Sequence, residues 1–109
     1  AQMENIEKIL ENKKETARLY DEFFQNREEK FIKQPQNSIS NFWLNCIEFL
    51  NREERDSFLE YSNDNGVMTR PIWRLMNKLN MFKDCQTGYI ENSEWLEARI
   101  VNIPSGYRI

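Results

Sequence analysis

The chain has 109 residues, a length that suits one domain with a hydrophobic core of modest size. Hydrophobic residues make up 39% and charged residues 30%, which is typical of a globular protein. The net charge is −3, and Lys and Arg are interleaved with Glu and Asp without a basic stripe, so the sequence does not predict nucleic-acid binding. The sequence contains no apolar run of about 18 residues, no His and only two separated Cys, so it predicts no membrane span and no metal site.

The N-terminal half of the chain begins with one predicted helix and two predicted strands. Over residues 3–26 the apolar side chains recur at spacings of three and four, which is the pattern of a long amphipathic helix. Residues 28–33 predict a short edge strand that Pro35 ends, because proline cannot donate a ladder hydrogen bond. Residues 41–50 are rich in aromatic and apolar side chains and predict a central, largely covered strand.

A second helix is predicted to begin after Asn51. The Asn51 side chain suits the N-cap, and Glu54 three residues later completes a variant of the capping box. Gly66 suits the left-handed position that follows a helix. We therefore expect this helix to end at Asn65.

The next segment predicts a strand and then a long loop. Residues 67–70 predict a strand closed by Pro71, with Arg70 extended because the residue before a proline is pushed to that geometry. Residues 72–87 show no clean period and predict a loop with one helical turn near Leu75. A long ordered loop in a compact domain is more often functional than idle.

The C-terminal part predicts a last helix and a return to extended structure. Asn92 or Ser93 can cap this helix, which we expect to run to about Val101, and residues 103–106 are predicted to be extended or in a turn. The predicted fold class is α/β, with a small, mostly antiparallel sheet packed by a long N-terminal helix and two shorter helices.

Few residues have the character of catalytic groups. The chain has no His and no glycine-flanked serine at a strand-to-helix turn, so it predicts no nucleophile–base pair and no catalytic residue. Residues 66–77 are the most informative stretch, because they place Arg70 at a strand end and Trp73 and Asn77 in the loop beyond. An arginine can bind phosphate or carboxylate through two parallel hydrogen bonds, and a tryptophan can offer a flat surface to a sugar or base. A surface ion pair and a core tryptophan are the alternative, which spacing alone favours.

Residues 66–77, with Thr69-Arg70-Pro71 followed by the aromatic Trp73, resemble the C-terminal motif of the DegT-type sugar aminotransferases. Three other segments resemble the same domain of that family, so the resemblance covers nearly the whole chain. They are the start of its long helix, one strand and the closing helix-to-strand segment, at residues 1–4, 41–44 and 99–105. The closest subgroup is expected to be enzymes that make amino sugars for nonulosonic acids such as legionaminic acid.

The resemblance implies that residues 1–109 are the C-terminal small domain of a fold type I aminotransferase, with the large domain that binds pyridoxal phosphate absent. The parent enzyme would transfer an amino group from glutamate to a nucleotide-linked 4-keto-sugar, and would be a cytoplasmic homodimer. The lysine that forms the Schiff base would lie in the large domain. The resemblance therefore implies that this chain is inactive alone and holds no cofactor-binding residue.

The resemblance also implies roles for three residues in substrate binding. Arg70 would lie near the mouth of the active site with Trp73 beside it, and Asn77 takes the place of a histidine of the family. An amide cannot titrate as an imidazole does, so a hydrogen-bonding role is expected at Asn77 rather than an acid–base role. Two other interpretations stay open: a free-standing α/β module that binds a protein partner through the exposed face of its first helix, and a small sugar-nucleotide-binding domain without catalysis.

Overall fold

The computed structural model describes residues 2–107, with Gln2 described by its backbone alone. Ala1, where the resemblance at residues 1–4 begins, and the last two residues lie outside this range. The fold is a mixed α/β arrangement of three helices and a four-stranded antiparallel sheet, as predicted. The elements in chain order are α1 Ile6–Phe24, β1 Lys30–Phe31, β2 Asn45–Glu48, α2 Arg52–Asp64, β3 Arg70–Pro71, α3 Glu91–Arg99 and β4 Ile100–Ile103. None of the described helices is both long and apolar enough to cross a membrane.

The sheet has the strand order β1-β2-β4-β3, which makes β2 and β4 central and leaves β3 at an edge. Phe31 pairs with Ile47, and Ile47 pairs with Val101, so these three side chains share one face of the sheet. Ile47 and Val101 are fully buried there. Aromatic and apolar side chains of α1 and α2 pack against this core, namely Ala17, Tyr20, Phe24, Phe58 and Leu59.

The opposite face of the sheet is more open. Cys46 pairs with Asn102, and Asn102 pairs with Arg70, so the register places these side chains together on the face away from the core. Cys46 and Asn102 are half-buried and Arg70 is exposed. This open face carries the candidate site.

The first helix is confirmed, although it begins at Ile6 after a 3-10 turn and ends at Phe24. The second predicted strand is much shorter than residues 41–50, because side chains fold its first part into a turn. Ser40 Oγ accepts from the Phe42 amide and Asn41 Oδ1 accepts from the Trp43 amide, each at 3.0 Å. Phe42 also has a positive φ of 49°, so the backbone cannot extend until Asn45.

The end signals of α2 are confirmed at both ends. Asn51 Oδ1 accepts from the Glu54 amide at 2.9 Å, and Asn51 Nδ2 donates to Glu54 Oε1 at 3.1 Å. Gly66 follows the helix with a φ of 76°. Local hydrogen bonds therefore set this helix, which is why its sequence signals were sufficient.

The third strand is Arg70–Pro71, so the prediction of residues 67–70 was correct only at Arg70. Thr69 is buried and has side-chain partners instead of a strand ladder: its hydroxyl lies 2.5 Å from Ser62 Oγ, and Asn63 Nδ2 donates to its carbonyl at 3.1 Å. Pro71 is tolerated in β3 because this strand lies at the sheet edge.

The C-terminal boundaries also differ from prediction. Helix α3 begins at Glu91, with Ile90 as an N-cap that makes no side-chain hydrogen bond, so the prediction of Asn92 or Ser93 as the cap was wrong. The helix ends at Arg99 rather than at about Val101. Ile100 and Val101 belong to β4 instead, because they pair with β2. The loop over residues 72–87 contains two 3-10 turns, Met76–Lys78 and Asn80–Phe82, rather than one turn.

Candidate functional site

Arg70 lies on the open face of the sheet at its edge. Its Nη2 donates to Met68 Sδ at 3.5 Å, which is a weak contact for a guanidinium. Within residues 2–107, no carboxylate lies within ion-pair distance of Arg70. The surface ion pair that spacing alone favoured is therefore not formed in the described part of the chain, and the guanidinium faces solvent with most of its donors available.

Arg70 and Trp73 line the same cavity, which has a volume of about 650 Å³. We call it the Arg70 cavity, and its other lining residues are Leu44, Met68, Pro71, Asn102 and Ile103. Trp73 is 70% exposed, so it is not the core tryptophan of the alternative interpretation. Its ring lies 6.4 Å from the ring of Trp43, which is 67% exposed, with 36° between the two planes. The cavity thus combines one available cation with exposed aromatic surface.

Asn102 is a site residue that sequence reasoning did not single out. Its Oδ1 accepts from Cys46 Sγ at 3.1 Å, and its Nδ2 donates to the Pro71 carbonyl at 3.4 Å. Burial raises the pKa of the Cys46 thiol, which keeps the Sγ proton that makes this contact. Asn102 reaches the cavity only through the register of β4 against β3, so no local sequence signal could have revealed it.

Asn77 lies apart from Arg70 and Trp73. It is half-buried in the first 3-10 turn of the loop and lines a separate cavity of about 300 Å³, together with Leu75, Met76, Thr87, Gly88, Ile90 and Ser93. The structure therefore brings together two of the three predicted substrate-binding residues. The third, Asn77, lies in the first 3-10 turn and lines the separate cavity instead.

A buried carboxylate fixes the loop beyond Arg70, and it too was not predicted. Glu97 on α3 is only 9% exposed, and its oxygens accept from Lys78 Nζ at 2.5 Å and from the Leu75 amide at 3.0 Å. Burial opposes ionisation of this carboxyl, but these hydrogen bonds and the charges of Lys78 and Arg52 outweigh it and lower its pKa. Glu97 is therefore ionised at neutral pH and holds residues 75–78 against α3.

The lining of the Arg70 cavity suits binding rather than catalysis. It includes no acid, base or nucleophile among the described residues. It also includes no lysine, so this cavity itself offers no side-chain amine. The cavity can offer the Arg70 guanidinium to an anion and the exposed ring of Trp73 to a planar group.

Comparison with known protein families identifies the family of this chain. The chain matches the DegT/DnrJ/EryC1/StrS aminotransferase family over residues 1–109. The chain belongs to this aminotransferase family. The family resemblance predicted from residues 66–77 is thereby confirmed, while closeness to the enzymes of legionaminic acid synthesis stays a prediction.

Solved structures support the same fold for this member of the family. The aminotransferase TlmJ from Streptoalloteichus hindustanus is 15% identical, with a TM-score of 0.84, over 95% of this chain and 28% of that one. The sugar aminotransferase CalS13 from Micromonospora echinospora is 18% identical, with a TM-score of 0.80, over 98% and 28%. A DegT DnrJ EryC1 StrS aminotransferase from Brucella abortus is 22% identical, with a TM-score of 0.77, over 94% and 27%.

The chain therefore spans little more than a quarter of the length of these three structures. Comparison with curated protein sequences gave no match. At these identities the structural neighbours establish the fold, and the family match establishes membership of the aminotransferases.

Proposed function

We propose that residues 1–109 form the C-terminal small domain of a pyridoxal-phosphate-dependent sugar aminotransferase whose large domain lies outside this sequence. The enzyme would transfer an amino group from glutamate to a nucleotide-linked 4-keto-sugar. The family match over the whole chain supports the aminotransferase assignment. The bound cofactor would supply the electron sink for this chemistry, and we assign its attachment to a lysine of the large domain on the family resemblance.

The single observation that supports a substrate-binding role is the available guanidinium of Arg70 beside exposed aromatic rings. A nucleotide sugar carries phosphates, which a guanidinium binds through parallel hydrogen bonds, and flat or apolar sugar and base surfaces, which tryptophan faces can contact. In this proposal Arg70 binds the anionic part of the substrate and Trp73 contacts a ring. Asn77 contributes hydrogen bonds from its separate cavity.

The remaining features of the proposal concern the whole enzyme. We assign it to the cytoplasm, where the two thiols Cys46 and Cys85, which are both free in the structure, would stay reduced. We also assign a homodimer and a role in nonulosonic acid synthesis, on the resemblance of residues 66–77. The family match favours this proposal over a free-standing protein-interaction module.

The proposal predicts a specific defect for Arg70→Ala in the full-length enzyme. Loss of a hydrogen-bonded ion contact of about 1.5–3 kcal/mol would raise KM for the nucleotide sugar by roughly 10- to 150-fold. The melting temperature is expected to stay within about 2 °C, because Arg70 is exposed and makes only one weak described contact. Steady-state kinetics with varied nucleotide sugar gives the KM.

Lys83→Ala is the matched control, because Lys83 is exposed and lies in the loop that follows β3 but does not line the Arg70 cavity. We expect its kinetics to equal those of the parent enzyme. An unchanged KM in Arg70→Ala would remove Arg70 from the substrate site. A fall in melting temperature with unchanged KM would assign it a structural role instead.

A further inference from the structure

Arg74 lines a different cavity from Arg70, although only three residues separate them. Arg70 and Trp73 line the Arg70 cavity, whereas Ile72 and Arg74 line a second cavity of about 390 Å³, and Pro71 contributes to both. We call the second one the Arg74 cavity, and its other lining residues are Arg52, Arg55, Lys78 and Glu97. The segment over residues 70–74 therefore forms a wall between two cavities of different character.

The Arg74 cavity has an excess of positive charge. Four cationic side chains line it, against the single carboxylate of Glu97. Two further carboxylates pair with these cations, Asp56 at 2.5 Å from Arg55 and Glu94 at 4.0 Å from Lys78, but both are about half exposed and so are screened by water. The cavity therefore concentrates cations whose charge is only partly balanced.

Two of the four cations are held in place and two remain available. Arg55 is buried, and its Nη1 donates to the Glu97 carbonyl at 2.5 Å, while Lys78 Nζ donates to the Glu97 carboxylate. Arg52 is 56% exposed and reaches Glu97 only at 4.0 Å. Arg74 is exposed and has no carboxylate within ion-pair distance in residues 2–107. The guanidinium groups of Arg52 and Arg74 thus keep donors free.

We propose that the Arg74 cavity is a binding site for a phosphoryl group. Two guanidinium groups on one cavity match a phosphate dianion, because each can donate two parallel hydrogen bonds to its oxygens. The Glu97 carboxylate does not oppose this anion strongly, because the Lys78 ammonium in contact with it balances its charge. Pro71 and Ile72 provide an apolar wall, so the cavity has room for an organic group attached to the phosphate.

This site does not depend on the proposed aminotransferase function, and it is tested on the 109-residue chain. Inorganic phosphate, pyrophosphate and methyl phosphate are titrated separately at pH 7.5 and constant ionic strength, while nitrogen–proton NMR spectra follow the backbone amides. We expect saturable shifts of the Leu75 and Glu97 amides, with pyrophosphate binding about tenfold tighter than phosphate because it brings more acceptor oxygens.

Arg74→Ala and Arg52→Ala are each expected to weaken binding of pyrophosphate about tenfold or more. Lys83→Ala removes a positive charge from the same loop as Arg74, and Lys83 is exposed and does not line the Arg74 cavity. It is therefore the matched control, with an expected affinity within twofold of the parent chain. Shifts that rise linearly without saturation would overturn the proposal, and so would an equal loss of affinity in Lys83→Ala and Arg74→Ala. Binding of methyl phosphate as tight as that of phosphate would assign the site to a phosphate ester, and preference for inorganic phosphate would assign it to the free ion.

Discussion

Replacing Glu97 with alanine is expected to release the loop beyond Arg70 from α3. The Glu97 carboxylate accepts one hydrogen bond from the Lys78 ammonium and one from the Leu75 amide, and it is nearly buried. Hydrogen bonds to charged groups contribute about 1.5–3 kcal/mol each. Lys78 is one-third exposed and regains water when its partner is lost, so we take the lower value for both bonds and expect a loss of about 3 kcal/mol.

The free energy of unfolding measures this effect directly. Urea titrations followed by far-ultraviolet circular dichroism give the unfolding free energy of each variant, and a loss of about 3 kcal/mol corresponds to a fall of roughly 12–24 °C in melting temperature for a chain of this size. Glu97→Gln keeps an acceptor for the Leu75 amide but loses the charge, so it is expected to cost about half as much as Glu97→Ala.

Glu94→Ala provides the matched control on the same helix. Glu94 lies 4.0 Å from the same Lys78 nitrogen but is about half exposed, so its removal is expected to change stability by at most about 0.5 kcal/mol. If Glu97→Ala were no more destabilising than Glu94→Ala, the assignment of Glu97 as the group that fixes residues 75–78 would be wrong. Amide hydrogen exchange at Leu75 gives a local measurement, and it is expected to accelerate in Glu97→Ala alone.

The same carboxylate predicts a dependence of stability on pH. The folded structure lowers the pKa of Glu97 below its ordinary value of 4.5, so the unfolded chain binds this proton more readily than the folded one. The stabilisation is therefore fully present above about pH 4.5 and is lost as the pH falls through the lower folded pKa. Unfolding free energies of the parent chain and Glu97→Gln are expected to converge over this acid range, and a constant difference between them would contradict the assignment.

Two further substitutions test the fold. Ile47 is fully buried in β2, so Ile47→Ala is expected to lower the unfolding free energy by about 2–5 kcal/mol. Leu50 is exposed nearby, so the control Leu50→Ala is expected to lower it by less than about 0.5 kcal/mol. Equal losses would mean that the core is misplaced. Gly66→Ala is expected to cost about 1–2 kcal/mol because Gly66 has a φ of 76°. A Cβ at Gly66 would meet no atom within 4 Å, and the same is true at Gly88, which has no positive φ. Gly88→Ala is therefore the control. An equal loss of stability in both variants would exclude backbone strain as the cause.

The elements that could be predicted from the sequence are those set by local interactions. The apolar stripe of α1, the Asn51 cap of α2 and the left-handed Gly66 each depend on residues within a few positions of one another. The start of β4 at Ile100 could not be predicted in this way, because the sequence continues to favour a helix there. Pairing of Ile100 with Glu48 of β2 determines the boundary. Tertiary pairing overrides local preference at such a boundary.

The candidate site likewise contains residues that the sequence indicated and residues that it did not. The sequence predicted Arg70 and Trp73 as one site because only two residues separate them, and the strand that contains Arg70 ends at Pro71. Trp43 and Asn102 join them from distant segments through packing and strand register, which no short motif encodes. Asn77 is close in sequence to Trp73, but it lies in the first 3-10 turn of the loop and lines another cavity.

Pro71 links these observations, because it limits β3 to two residues. An edge strand exposes unpaired backbone groups, and a proline there removes one donor and discourages continuation of the strand. Arg70 is thereby fixed on the open face of the sheet by its pairing with Asn102, while the chain beyond Pro71 is free to cross toward α3, where Glu97 holds Leu75 and Lys78. Arg70 and Arg74 therefore come to line different cavities on the two sides of one wall. Because they share no described contact, their substitutions are expected to act additively on stability while affecting two different ligands.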